Sequence, residues 1–190
     1  RWPDFRLSVK QGIPNIFGSN VRYTKYEFQV EDMVRWGAPG ESFYNLISGG
    51  FLNDPSTVRF IEYKWFRGGD FLLFTNPLFT MQSLPETFAS PEVYMQAFGI
   101  HHFDGFLLDR IPVLNRLGFG SAAGFSALYL PSSNISHLET YVGLERKVRL
   151  WQTPMRFGVY YLTSPTDANP GFRLKIGMDV MDTFRDRWNF

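Results

Sequence analysis

From Phe172 to Val180 every second residue is apolar (Phe172, Leu174, Ile176, Met178, Val180), and Arg173, Lys175, Gly177 and Asp179 stand between them. Successive side chains of a strand point to opposite faces, so this pattern predicts a strand with one apolar and one polar face. The same period recurs elsewhere. Tyr26, Phe28 and Val30 alternate with Lys25, Glu27, Gln29 and Glu31, and Phe5, Leu7 and Val9 with Asp4, Arg6, Ser8 and Lys10. Leu138, Thr140, Val142 and Leu144 interleave with His137, Glu139, Tyr141, Gly143 and Glu145. Met155, Phe157, Val159 and Tyr161 interleave with Arg156, Gly158 and Tyr160. Further candidate strands near 41–52, 58–66, 91–104 and 118–130 bring the count to about nine. Turn residues separate many of them: Gly37-Ala38-Pro39-Gly40, Asn53-Asp54-Pro55, Pro131-Ser132-Ser133-Asn134, and Ser164-Pro165 through Asn169-Pro170-Gly171.

Two segments break the alternation. Residues 105–117 carry apolar side chains at helical or clustered spacing around Pro112, which predicts a loop or short helix laid against the sheet. Residues 67–90 read as a long loop whose Phe71, Phe74, Phe79 and Phe88 need something to pack on.

Alternation is shared by soluble sandwiches, whose apolar set faces a core, and membrane barrels, whose apolar set faces lipid and polar set a lumen. Three features favour the barrel. The polar face is densely ionisable. Aromatic residues gather near segment ends (Trp2, Tyr23, Trp36, Trp65, Phe66, Trp151, Tyr160, Tyr161, Trp188, Phe190), as at a membrane–water interface. Several segments reach the roughly 9–11 residues of a tilted spanning strand. Nine strands is an odd number where single-chain bacterial barrels have an even one. Either one strand is misassigned or a strand precedes residue 1. An unpaired sheet edge cannot stand in hydrocarbon, so the chain is expected to be the C-terminal part of a larger barrel or to pair with strands from elsewhere. On this face assignment, Ile176→Arg should be costly and Lys175→Ala far milder.

Composition narrows the field. Nineteen Lys and Arg against eighteen Asp and Glu give a formal charge of +1, which offers no electrostatic footprint for nucleic acid. With no cysteine there are no disulfides, thiolate metal sites or cysteine nucleophiles. Eighteen per cent of the residues are aromatic, yet the mean hydropathy is only −0.17.

Chemistry is sparse. His101 and His102 are adjacent, so in a strand they point to opposite faces and cannot chelate one metal. One of them is positioned to meet Asp104 or Glu92 in the lumen, and His137 shares the polar face with Glu139. Gly120-Ser121 and Gly124-Phe125-Ser126 do not complete the G-x-S-x-G elbow of a serine hydrolase. Gly49-Gly50 and Gly68-Gly69 fit no phosphate-binding fingerprint. No catalytic, cofactor-binding or metal-ligating residue is assigned.

The run His101-His102-Phe103-Asp104-Gly105-Phe106-Leu107-Leu108-Asp109-Arg110-Ile111-Pro112-Val113-Leu114-Asn115-Arg116-Leu117 resembles a signature in the C-terminal barrel of an outer-membrane family of Bacteroidota. Members are described as carboxypeptidase-like regulatory domain-containing proteins of unknown function. Trp2-Pro3 with Phe5, Lys10 to Gly12-Ile13, Tyr23 and Lys25, Gly40 to Tyr44, Gly50 with Pro55, and Val142-Gly143-Leu144-Glu145 agree in order. The resemblance departs at Glu86-Thr87-Phe88-Ala89-Ser90-Pro91. It implies a Gram-negative outer-membrane barrel with a periplasmic N-terminal portion, and a structural role for His101, His102, Phe103, Gly105, Leu107, Leu108, Arg110, Ile111, Pro112, Leu114 and Leu117.

The expected fold is therefore all-β: an antiparallel outer-membrane β-barrel, here the C-terminal part of a larger one, in an up-and-down meander with one helical or irregular insertion near 105–117. Residues 1–190 form a single domain. The expected function is that of an integral outer-membrane protein without enzymatic activity. It would have an accessory role in envelope biogenesis or in a surface or transport complex, with no cofactor. A porin or transporter barrel and a membrane-embedded hydrolase or acyltransferase are the alternatives. Expected partners are outer-membrane lipid and lipopolysaccharide, with other outer-membrane proteins or lipoproteins.

Overall fold

The computed structural model describes residues 2–15, 22–52, 58–84, 86–151, 153–166, 173–182 and 187–189. Its long strands are β1 (Asp4–Gly12), β2 (Tyr23–Arg35), β3 (Glu41–Phe51), β7 (Tyr94–Asp104), β8 (Phe119–Leu130), β9 (Ile135–Leu150), β10 (Thr153–Thr163) and β11 (Arg173–Asp182). Short β4 (Lys64–Phe66), β5 (Leu73–Phe74) and β6 (Phe88–Ser90) lie between β3 and β7, and β12 (Arg187–Asn189) follows β11. The main sheet runs β1-β2-β3-β7-β8-β9-β10-β11-β12, each neighbour antiparallel to the last. β5 joins it in parallel with β11, while β4 and β6 make a separate pair. Among the described residues no pairing joins β1 to β12, so the sheet has two ends.

Polarity decides what this sheet is built for. On β11, Leu174, Ile176 and Met178 are 65%, 52% and 56% exposed, whereas Lys175 and Asp179 between them are 1% and 6% exposed. The same inversion holds on β9 and β10, where Leu138, Val142, Leu144, Phe157 and Val159 point out and Glu139, Glu145 and Arg156 are buried. Phe5, Leu7 and Val9 of β1 and Phe28 of β2 also face outward. The charged face of β9, β10 and β11 is thus their inside, whereas both faces of β1 are exposed.

What fills that inside is the long connection between β3 and β7, which crosses the inner face as a strap. Phe66, Phe74, Leu78 and Met81 of the strap pack against Phe43, Ile47, Phe98, Ile100, Leu128 and Leu130 of β3, β7 and β8. A smaller cluster of Tyr23, Phe51 and Val58 lies beside it, with Tyr63 packed on. His102 of β7 contacts Arg156 of β10 at 2.9 Å, although three strand spacings span about 14 Å in a flat sheet. The sheet curls around its contents.

Turn chemistry holds the strands in register. In the β2–β3 hairpin, Trp36 N–H donates to Gly40 O at 2.9 Å and Gly40 N–H to Gly37 O at 3.0 Å. A Cβ on Gly40 would lie 1.9 Å from the His102 carbonyl oxygen, and its φ of +106° is one that glycine alone adopts readily. Three further glycines form a cradle: Gly143, Gly158 and Gly177, on adjacent strands β9, β10 and β11, lie under the Tyr160 ring. A Cβ at Gly143 would stand 2.5 Å from Tyr160 Cδ1, one at Gly158 2.7 Å and one at Gly177 2.6 Å from Tyr160 Cε2. Gly143→Val is therefore expected to destabilise by about 1–3 kcal/mol through overpacking. The same change in a Tyr160→Ala background should cost distinctly less in a double-mutant denaturation cycle; equal costs would mean that the ring does not occupy the cradle.

Several expectations are corrected. Residues 58–66 are not a sheet strand but a 3-10 turn (Phe60–Glu62) followed by β4 inside the connection. Val58, Phe60, Ile61, Tyr63 and Trp65 imitate a strand because aromatic and β-branched residues crowd there. The expected nine strands nevertheless match the nine of the main sheet, because the three-residue β12, too short to be seen in the sequence, replaces the misread segment. The insertion after β7 contains α1 (Pro112–Leu117), but it does not lie on the sheet: Val113, Asn115, Arg116 and Leu117 are exposed. Tyr23, Phe66 and Tyr160 are not girdle residues; all three are buried inside. The Asn53-Asp54-Pro55 turn, the 169–171 turn, Phe172, the Leu114 and Trp188 side chains and Phe190 lie outside the described residues.

Candidate functional site: the polar inner face and its strap

The inward charges of β9 and β11 are where alternation puts them, and they hold the strap by its backbone. Glu139 accepts the N–H groups of Gln82 at 2.6 Å and Ser83 at 2.5 Å. Lys175 Nζ donates to the carbonyls of Asp70 and Gln82. Arg173 Nη1 donates to Ser83 O at 2.5 Å, and from the opposite wall Asn45 Nδ2 donates to Leu78 O at 2.8 Å. A parallel contact, Ile176 N–H to Leu72 O at 2.9 Å, extends the strap onto β11. Asp70 Oδ1 accepts the N–H groups of Leu73 and Leu72, which holds that carboxyl below the usual carboxylate range and steadies the turn into β5. Phe74 stacks on Tyr160 with ring centroids 3.7 Å apart. Backbone groups of Asp70, Leu78, Gln82 and Ser83 in the strap are thus satisfied by side chains of the wall, whereas the buried Asn76 Oδ1 has no hydrogen-bond partner among the described residues.

A second network occupies the inner face nearer the 105–118 insertion. His102 Nδ1 lies 2.8 Å from Glu145 Oε2, and its Nε2 lies 2.9 Å from Arg156 Nη1. Tyr160 donates its hydroxyl to Glu145 Oε1 at 2.5 Å. Arg156 is the cross-strand partner of Asp179, so the buried cation sits between two carboxylates. Phe43 meets the His102 ring edge-on at 5.7 Å. On β2, Glu27 receives Lys64 Nζ at 2.5 Å and the Tyr94 hydroxyl, which ties the strap's β4 to the wall.

The histidines divide as adjacent strand positions must. His102 turns inward, to Glu145 and Arg156 rather than to Asp104 or Glu92. Asp104 instead pairs with Lys147 at 2.7 Å, and Glu92 receives Ser133 at the β8–β9 turn. His101 turns outward, to Ser42 at 2.7 Å and Pro39 O at 3.0 Å, with the Phe103 ring 4.2 Å away. His137 shares the inner face with Glu139, 3.4 Å apart, and touches Ser83 Oγ at 3.0 Å.

The rest of the 101–117 run forms the exposed insertion. Gly105 O accepts Leu108 N–H and Asp109 N–H, Leu108 O accepts Ile111 N–H, and Pro112 opens α1 at a position that loses no helical hydrogen bond. Phe106, Leu107, Arg110, Ile111 and Leu117 are exposed and Leu108 is half-buried.

A hydrolase needs a hydroxyl or carboxylate within about 2.6–3.2 Å of a base. Ser42–His101 and Ser83–His137 meet that distance, as does the carboxylate pair His102–Glu145. In the Ser83 set, hydroxyl and Glu139 share the same Nε2, and all three residues are buried, so this cluster ties the strap rather than relaying a proton. Among the described residues no group of three or more His, Asp or Glu is arranged to hold a metal ion. On the outer face a groove of about 540 Å³ is lined mainly by apolar side chains, among them Phe28, Leu46, Met95, Tyr129 and Leu138.

Fold and interior together define an all-β chain whose antiparallel meander carries charge inside and hydrocarbon outside, with a loop bound across the interior. The chain belongs to a family of unknown function (DUF5686): residues 1–144 match its C-terminal domain. That span includes the whole 101–117 run and ends within β9. No curated protein and no solved structure matches the chain.

Proposed function

We propose that the chain is the C-terminal part of an integral outer-membrane β-barrel of Gram-negative bacteria of the Bacteroidota, with a strapped interior and an accessory role in envelope biogenesis or in a surface complex. One observation carries this: the exposed Leu174, Ile176 and Met178 beside the buried Lys175 and Asp179. Burying a side chain of that size is worth about 1.5–3 kcal/mol, a gain forfeited in water and recovered among acyl chains. The exposed apolar side chains repeat along β9, β10 and β11, a face that calls for lipid or a partner. No helix among the described residues is long and apolar enough to cross a membrane. Among the described residues β1 pairs on one side only, an edge that needs further strands before it can face lipid. The native polypeptide should accordingly exceed 22.0 kDa.

A porin or transporter is the second reading, and the strap weighs against it because its backbone is bound to both walls of the interior. In planar bilayers the reconstituted protein is expected to conduct no ions. The decisive experiment is fractionation of native cells. The protein is expected in the outer membrane with heat-modifiable migration, alongside lipid, lipopolysaccharide and partner proteins or lipoproteins. Its depletion should lower the level of other outer-membrane proteins. Recovery in a soluble fraction would overturn the membrane placement, and unchanged levels on depletion would overturn the biogenesis role.

A further inference from the structure

Ser42 and His101 are direct cross-strand partners on the outer face, beside the 36–40 hairpin. Ser42 Oγ lies 2.7 Å from His101 Nδ1, and His101 Nε2 lies 3.0 Å from the carbonyl oxygen of Pro39. A carbonyl only accepts, so Nε2 carries the hydrogen, and in the neutral ring Nδ1 is left to accept the serine O–H. Trp36 Nε1–H donates to Ser42 Oγ at 2.8 Å, leaving the hydroxyl proton aimed at the imidazole. A hydroxyl, a base within reach of it and a third group fixing the base's tautomer make the ground-state arrangement of an activated serine.

Its surroundings differ from those of the buried Ser83–His137 pair. Ser42 and His101 are half-buried, and their same-face neighbours across β2 and β8 are the modest side chains Val34 and Ala123. Asp32 and Tyr44, one pair further along and 3.4 Å apart, extend a polar island at the rim of an otherwise apolar face. The exposed Trp36 indole flanks the island, a residue type that settles where hydrocarbon meets water.

We propose that Ser42 is a nucleophile, with His101 as its general base, acting on acyl esters of membrane lipids at this rim; the lipid substrate rests on the membrane placement proposed above. Ser42 Oγ bonds to the ester carbonyl carbon as its proton passes to His101 Nδ1. The bond from that carbon to the alcohol oxygen breaks, and His101 returns the proton to the departing alcohol. Water, giving its proton to the same nitrogen, then cleaves the acyl-serine, releasing a fatty acid and restoring the Ser42 hydroxyl.

Full-length protein purified in detergent and treated with a fluorophosphonate probe is expected to carry the label on Ser42 by peptide mass mapping, and Ser42→Ala to carry none. With phosphatidylglycerol vesicles the wild type should release fatty acid, and His101→Gln should do so roughly 10²–10⁴-fold more slowly while keeping heat-modifiable migration. An unlabelled Ser42 in heat-modifiable wild type overturns the nucleophile and leaves the barrel standing. Equal fatty-acid release by Ser42→Ala and wild type overturns it as well. A labelled protein that neither migrates heat-modifiably nor fractionates with outer membrane overturns the lipid substrate together with the membrane placement.

Discussion

Glu139→Ala is expected to cost about 3–5 kcal/mol, the range for removing one member of a buried charge cluster. Two buried N–H groups, those of Gln82 and Ser83, lose their acceptor at once. Each orphaned N–H accounts for roughly 1–3 kcal/mol of that cost when nothing replaces its acceptor. Lys175, which the Glu139 carboxylate also balances, is left inside with fewer counter-charges. Lys147→Ala is the matched comparison, since its bridge to Asp104 is 47% and 39% exposed at its two ends and surface pairs contribute about 0–1 kcal/mol. The measurement is the urea midpoint for loss of the folded, heat-modifiable form of each variant. Similar midpoints for the two variants would mean that the strap is not docked on β9.

Ile176→Arg is the second large effect. On the proposed membrane placement, a guanidinium near the bilayer midplane of a barrel costs about 2–4 kcal/mol, so this variant should accumulate outside the membrane while Ile176→Phe inserts normally. Its neighbour Lys175 faces inward as the alternation predicts, but there it holds the strap, so its replacement is not expected to be mild. Lys175→Ala removes the donor to the Asp70 and Gln82 carbonyls and so frees the strap. The two adjacent substitutions should therefore fail in different ways. Ile176→Arg should lose insertion. Lys175→Ala should insert but become open to trypsin at Arg67, whose carbonyl accepts Met81 N–H within the strap. Matching phenotypes would contradict the assignment of these residues to opposite faces.

Strands with one charged and one greasy face were legible in the sequence: β1, β2, β9, β10 and β11 all announce themselves by alternation. β3, β7 and β8 were legible only in outline. Phe43, Ile47, Phe98, Ile100 and Leu128 make their inner faces apolar too, so the two-residue period fades and only turn signals bound them. Tyr160 and Tyr161 teach the opposite lesson. Adjacent strand residues must face opposite ways, so the two could not both belong to an outer aromatic girdle, and the pattern already held that correction. The docking of the strap was beyond reach for a different reason. Glu139, Lys175, Arg173 and Asn45 bind backbone N–H and carbonyl groups of residues 70–83, and a backbone group leaves no mark in the alphabet of side chains. Ser42 escaped notice likewise, because its partner His101 lies 59 residues away and only strand register brings them together.

The parallel contact between β5 and β11 has a consequence for assembly. β10 occupies one side of β11 from Arg173 to Val180, and β12 pairs on the other side at Val180, Met181 and Asp182. The next stretch of that same border, at Ile176 and Gly177, is taken by Leu73 and Phe74. Any strand that zipped further down β11 would have to evict them, so seating of the crossing loop and completion of the wall compete for one row of amides.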